Sequence, residues 1–312
     1  MTAMTTRQAG RPTAYRRSRV QRRLMVVAWT MLLPFLLVFT LTVIAPLLYA
    51  LTISVFQNRL IGGTVFVGLD NYARALTDPL LGEGVVRVLL FVAVQVPIML
   101  FISLTAALAL DSGRLAGSRI VRLGLFLPYA VPSVVAALMW GYIFGGQFGL
   151  VGQIWGFFGV DAPDLLGPGL MLPSIGNIVT WSMVGYNMLI FYAALRAVPT
   201  EIYEASAIDG AGEFRRAWSI KLPALRPAML LALVFSIIGS LQLFNEPSIL
   251  QALRPSVITT NYTPNLYAYS LSFLGGQINY AAAIAILMGL VTVIAAIFVQ
   301  VVSSRARRGG RS

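Results

Sequence analysis

The chain has 312 residues, of which 58% are hydrophobic and only 11% charged, with a net charge of +12. Soluble globular chains carry about 25% charged residues, so this composition belongs in a bilayer. Cysteine and histidine are both absent, which excludes disulfides, thiol nucleophiles, histidine metal sites and histidine proton relays.

Residues 1–23 form a polar, arginine-rich tail suited to an anionic membrane face. Its arginine pairs ahead of an apolar run superficially match a twin-arginine leader. The run is too long for one and lacks a small-residue cleavage site, so it reads as a retained span. Six apolar runs follow, near 25–51, 85–110, 123–144, 174–195, 228–249 and 281–302, each long enough for a transmembrane helix. Prolines within the first and third runs (Pro34, Pro46, Pro128 and Pro132) are tolerated where neighbours re-satisfy the freed carbonyls. Between the runs lie a polar loop at 52–84, a short basic loop at 111–122, a Gly- and Pro-rich loop at 145–173, a polar stretch at 199–223 and a loop at 250–280. The middle of the 145–173 loop has the composition of a short interfacial helix. A basic tail, 304–312, closes the sequence. The expected fold is all-α and polytopic, with one transmembrane domain over 24–303.

Six spans put both ends on one side. Nineteen of the 23 lysines and arginines fall in the N-terminal tail, the 111–122 loop, the 196–226 region and the C-terminal tail; Arg59, Arg74, Arg87 and Arg254 face the other way. The positive-inside rule therefore places both termini and the 199–223 stretch in the cytoplasm. The excess charge is topological, which removes the case for nucleic-acid binding.

The stretch from Pro199 to Pro223, PTEIYEASAIDGAGEFRRAWSIKLP, is charged among greasy neighbours. Thr200 fits an N-cap, with Glu201 in the first turn where a carboxylate suits the helix dipole. Asp209-Gly210 signals a turn, a second short helix follows, and Pro223 is expected to stop it. With apolar residues on both helices (Ile202, Ala205, Ile208; Phe214, Trp218), it reads either as a docking surface or as a solvated connector.

The spans hold almost no ionisable residue; only Glu246, toward the outer end of span 5, comes close. An ion-coupled secondary transporter, the rival reading, places ionisable groups inside its spans. A membrane-embedded enzyme would need a catalytic cluster at one face. The acidic group Glu201, Glu204, Asp209 and Glu213 is the sole acidic cluster. No phosphate-binding GxxxxGK[ST] loop occurs. A chain that moves solute uphill without an ATP or ion site needs a partner to supply the energy.

Within that stretch, Glu204-Ala205-Ser206, Gly210 and Ile220-Lys221-Leu222-Pro223 resemble the cytoplasmic motif of ATP-binding-cassette importer permeases: E-A-A, three residues, G, nine residues, I, one residue, L-P. Ser206 replaces the second alanine. LRAVPTEIYEASAIDGAGEFRRAWSIKLP, VGLDNYARAL, FLPYAVPSVVAALMWGYIF and LFNEP are similar to the carbohydrate, maltose-type branch in its compact six-span form. The resemblance implies the type I importer transmembrane fold in a bacterial cytoplasmic membrane. It implies a second, usually different permease subunit, a cytoplasmic ATPase dimer that binds the ATP and Mg, and an extracytoplasmic solute-binding protein delivering carbohydrate. This chain then has no catalytic residue, metal or cofactor of its own. Glu204, Ala205, Ser206, Asp209, Gly210, Ile220, Leu222 and Pro223 are the implied ATPase-coupling residues, Glu204 meeting an ATPase arginine and Gly210 turning between two helices. Alternating access is the implied mechanism.

Sugars are held by hydrogen bonds to hydroxyls and by aromatic faces. Span 4 offers Trp181, Tyr186 and Asn187; span 5 offers Gln242, Phe244, Asn245 and Glu246. In the maltose-type permeases a tyrosine before the coupling loop and a Phe-Asn pair after it touch sugar; these positions fall on Tyr186 and Phe244-Asn245. Other sugar-contacting positions depart, carrying Val179, Ser182 and Met183, so the sugar, or the share of it held here, differs. The substrate-path candidates are Tyr186, Asn187, Gln242, Phe244, Asn245 and Glu246. Each polar member also admits a reading as an interhelical packing bond, and Glu246, beside Pro247, as a gate or helix cap.

Overall fold

The structure is a computed structural model, and it describes residues 19–59, 61–113, 115–146 and 149–309. Most of the basic N-terminal tail, the tail beyond 309 and Arg114 of the basic loop lie outside the described residues. Two compact units are present, residues 1–52 and 53–312. In the first, α1 (Arg19–Phe39) passes through a π-helical turn (Thr40–Ile44) into α2 (Ala45–Ser54), and residues 23–54 are long and apolar enough to cross a membrane.

The second unit opens with a hairpin where the sequence suggests only a polar loop. β1 (Phe56–Arg59) pairs antiparallel with β2 (Gly63–Phe66), Phe56 opposite Phe66. Gly62 and Gly63 have φ of +101° and +71°, a region glycine alone enters readily. α3 (Asp70–Thr77) follows. Asn71, buried on it, donates to the carbonyls of Ser54 and Phe56, which ties the hairpin's root to α3.

α4 (Pro79–Asp111) is a 33-residue helix. Its start is fixed by Asp78, whose Oδ1 accepts from the Leu80 amide at 2.9 Å, with proline in the first turn where its missing N–H costs nothing. Asp78 Oδ2 also accepts from Tyr267 and Tyr280, at 2.9 and 2.6 Å. Burial pushes this carboxyl up, but the two tyrosine hydroxyls and the amides of Leu80 and Leu81 outweigh it, so it titrates below its ordinary 3.8. A depressed folded value means that the stabilisation is complete above the ordinary value and is lost as pH falls through the lower, folded one. Asp78→Ala removes a cap and strands two buried hydroxyls, a cost of about 2–4 kcal/mol. Thermal melting in detergent should show it near neutrality and show the difference shrinking in strong acid.

The third expected span is not one rod. α5 (Ser118–Phe126) and a 3-10 turn (Leu127–Ala130) meet α6 (Ser133–Ile143) at 101°. Pro132 denies an amide to the ladder and pushes Val131 to an extended ψ of 125°. α7 (Leu150–Phe157) is the short helix expected in the Gly-rich loop, and α8 (Met171–Arg196) is continuous.

In the charged stretch, α9 (Thr200–Ile208) and α10 (Glu213–Arg216) lead through a π-helical turn (Ala217–Lys221) into α11 (Leu222–Leu241). Two expectations are corrected here. Thr200 is the first helical residue, not the cap; Pro199 holds that place, with no side-chain bond. Pro223 does not stop a helix but stands in the first turn of α11. The π turn ahead of it, closed by Leu222 N–H to Ala217 O, displaces the carbonyl that the proline ring would strike. The same device precedes Pro46, where the Ala45 amide reaches Thr40.

Span 5 is also broken: α11 ends at Leu241 and α12 (Asn245–Leu253) begins four residues on. Pro247 has no N–H for the Leu243 carbonyl and its ring would clash there, so the helix restarts. Within the expected loop at 250–280 lies α13 (Pro264–Phe273), capped by Thr263, and α14 (Ile278–Gly309) ends the described chain. Among the described residues, five helices are long and apolar enough to span a membrane, six if the bent pair counts as one. Cores form around Ile175, Ile178 and Leu250, around Tyr280 and Ile284, and around Met188, Phe191 and Leu225.

Candidate functional site

A cavity of about 410 Å³ opens where α11 breaks. All six substrate-path candidates line it. Tyr186 and Asn187 come from α8, Gln242 and Phe244 from the break, and Asn245 and Glu246 from the first turn of α12. α4 adds Met99, the 3-10 turn Tyr129 and α6 Ser133. Of the departing positions, Val179 and Met183 also reach it.

The six differ in how free they are. Tyr186 stacks on Tyr129, centroids 4.8 Å apart and planes 17° from parallel. Asn245 is exposed, and its amide donates to Ser133 Oγ at 3.0 Å. Gln242 is exposed, and Phe244 leans on Tyr269. Asn187 differs: it is 3% exposed, and its amide goes to the Met183 carbonyl at 3.3 Å and Met99 sulfur at 3.8 Å. Packing accounts for that side chain. Among the described residues, Glu246 is the one charged residue on the cavity wall, at an α12 N-terminus whose dipole favours a carboxylate.

Two supports of the cavity carry little mark in the sequence. Gln95, buried on α4, accepts from Ser240 of α11 at 3.2 Å and donates to Thr180 of α8 at 3.4 Å. One amide thus bonds three helices behind the cavity. Its only signal is a polar residue inside the 85–110 run. Gly185 of α8 lies against the backbone at Leu125 and Phe126, where a Cβ would collide with main-chain atoms. Small residues permit such approaches between membrane helices, and this one brings Tyr186 to Tyr129. Trp140 and Trp181 meet edge-on, 5.8 Å apart, against the core rather than the cavity wall.

On the charged stretch, Glu204, Ala205, Asp209 and Gly210 are exposed. Gly210 has φ +72° and ends α9 as an αL cap, its amide on Ala207 O and that of Ala211 on Ser206 O. Ser206 turns inward, its hydroxyl on Tyr203 O at 2.7 Å. Ile220 and Leu222 are half-buried, while Pro223 is exposed. Ile208, Phe214 and Trp218 stand out at 87%, 83% and 68% exposure. Large apolar side chains thus stand uncovered within this charged segment, as a contact surface would require. Lys221, between Ile220 and Leu222, is buried and pairs with Asp111 at 2.7 Å, a contact across 110 positions that no sequence spacing announces.

Residues 99–308 match the family described as binding-protein-dependent transport system inner membrane component. The trehalose/maltose transport system permease protein of Thermococcus litoralis is 31% identical over 272 residues, covering 86% of this chain and 91% of that protein. The lactose transport system permease protein of Rhizobium radiobacter is 30% identical, covering 94% and 98%. The diacetylchitobiose uptake system permease protein of Streptomyces coelicolor is 29% identical, covering 78% and 72%. The fold is shared with the crystal structure of a bacterial ABC transporter involved in the import of the acidic polysaccharide alginate, at a TM-score of 0.80 and 19% identity over 92% of this chain and 99% of that one.

Proposed function

Because the chain belongs to the family of binding-protein-dependent transport system inner membrane components, as a permease component of a sugar ABC importer, we propose that it carries a di- or oligosaccharide, driven by a separate ATPase docked on residues 199–223. A second, different permease subunit completes the pore, and both termini lie in the cytoplasm, as the arginine distribution favours. Binding protein delivers the sugar from outside. ATP closes the ATPase dimer, the docked segments approach, and the pore exchanges one opening for the other; each state is favoured by differential contacts with the partners. The subunit itself performs no chemistry.

The observation that carries this reading is the cavity at the helix break. Its walls offer an exposed amide pair, Gln242 and Asn245, and aromatic surface from Tyr186 and Phe244. Those are the groups that read hydroxyls and sugar faces. With Glu246 the one charge on its wall, the cavity suits an uncharged sugar better than an anionic one. Relatives named for trehalose/maltose, lactose and diacetylchitobiose support that size class.

The test is uptake by the reconstituted importer, with the sugar chosen by titrating its binding protein against a panel. Tyr186→Ala and Asn245→Ala should each lower uptake about tenfold, the worth of one good polar or stacking contact, with assembly intact. Unchanged kinetics for both would remove them from the sugar path.

A further inference from the structure

We infer that Lys221 is a positioning residue that transmits movement of the 199–223 segment into α4 through its buried ion pair with Asp111; this rests on the reading of that segment as the ATPase dock. Lys221 Nζ lies 2.7 Å from Asp111 Oδ2, and each side chain is 7% exposed. Glu213 Oε2 is 4.0 Å from the same ammonium, and the Tyr203 ring centroid 5.6 Å. Three parts of the segment therefore close on one cation: α9 through Tyr203, α10 through Glu213, and the π turn through Lys221 itself. The cation's shortest bond leaves the segment altogether, to the last residue of α4.

That destination matters because of what else α4 carries. Gln95 accepts from Ser240 of α11, and the Met99 sulfur receives the Asn187 amide, both at the cavity. α11 begins at Leu222, the residue after Lys221. One ammonium thus joins the feet of two helices that both contribute to the cavity wall. α11 follows the segment through its covalent chain. α4 has no covalent link to it there and follows through charge. Neither charge can be left alone in a buried site without large cost, so separation of the two helices at this level is resisted. A buried pair gives little net stability over an apolar pair of the same volume, so stability alone is a poor account of its presence.

The test uses the complete importer, with its partner permease, ATPase and binding protein, in proteoliposomes. Lys221→Met and Asp111→Asn should keep the ATPase bound and hydrolysing, while sugar moved per ATP falls about tenfold, within the range of site-to-site couplings. The exchanged pair, Lys221→Asp with Asp111→Lys, should recover most of the loss. The apolar pair, Lys221→Met with Asp111→Leu, leaves no buried charge. It should fold even where a single variant does not, and it should show the same loss per ATP. Wild-type stoichiometry in the apolar pair or the single variants overturns the inference. So does loss of the ATPase along with transport, which would make the pair part of the docking surface only, and so does an exchanged pair no better than the single variants. Failure of the docking reading is separate, since it would appear as a Glu204→Arg chain whose importer still holds its ATPase and pumps normally.

Discussion

Gly185→Leu is expected to drive α8 away from α5 and to abolish transport with the chain still inserted in the membrane. Even a methyl group at Gly185 would collide with the Leu125 carbonyl and the Phe126 Cα. Main-chain atoms cannot rotate aside as a side-chain tip can, so the helices must part. Overpacking typically costs about 1–3 kcal/mol, and backbone against backbone belongs at the top of that range, so Gly185→Ala should cost about 3 kcal/mol and leucine more. The stack of Tyr186 on Tyr129 is lost with the separation. Gly239 supplies the comparison: it lies on α11, where an added methyl would meet nothing within 4 Å, and Gly239→Ala should leave the melting temperature level or raise it, since alanine is the better helix former. Wild-type melting in Gly185→Ala would show that the close approach is not required.

Glu204→Arg is expected to give a chain that folds normally and holds no ATPase. Glu204 is exposed, and surface substitutions away from buried features stay within about ±0.5 kcal/mol, so its melting curve should match the wild type. Reversing a charge at a contact surface places like charges together if the partner presents an arginine, which costs several kcal/mol at an interface. ATPase co-purification and sugar uptake should both drop to background. Gly210→Pro should do the same by geometry: proline holds φ near −65° where the turn has +72°, and it removes the amide that bonds Ala207. An intact complex that pumps normally with either change would disprove docking through this segment.

The spans were legible because apolar length is a one-dimensional signal. Runs at 85–110 and 174–195 correspond to α4 and α8 within a few residues except at the start of α4, which the Asp78 cap moves to Pro79. Proline was visible as a letter but not as a geometry. Pro132 bends a span, Pro247 breaks one and Pro223 starts one, and which of these happens depends on where the displaced carbonyl can go. The candidate cavity residues were legible through resemblance: Tyr186 and Phe244-Asn245 are far apart in sequence, and only the fold brings them to one wall. Gln95 and the Lys221–Asp111 pair were not legible. A neutral amide in a long apolar run carries no periodic mark, and an ion pair across 110 positions has no local one.

The break between α11 and α12 has one more consequence. A helix end leaves carbonyls without intrahelical partners, and a helix start leaves amides so. Here an end and a start stand four residues apart on the wall of one cavity. The break thus leaves main-chain groups that neither helix pairs internally, and Pro247 keeps it open whatever the neighbouring side chains are. If the proposed sugar path runs here, such groups would meet hydroxyls of many sugars, because a main-chain group reads the presence of a polar partner and not its stereochemistry. On that proposal, discrimination among cargoes would fall to side chains, which can diverge while the broken helix stays constant.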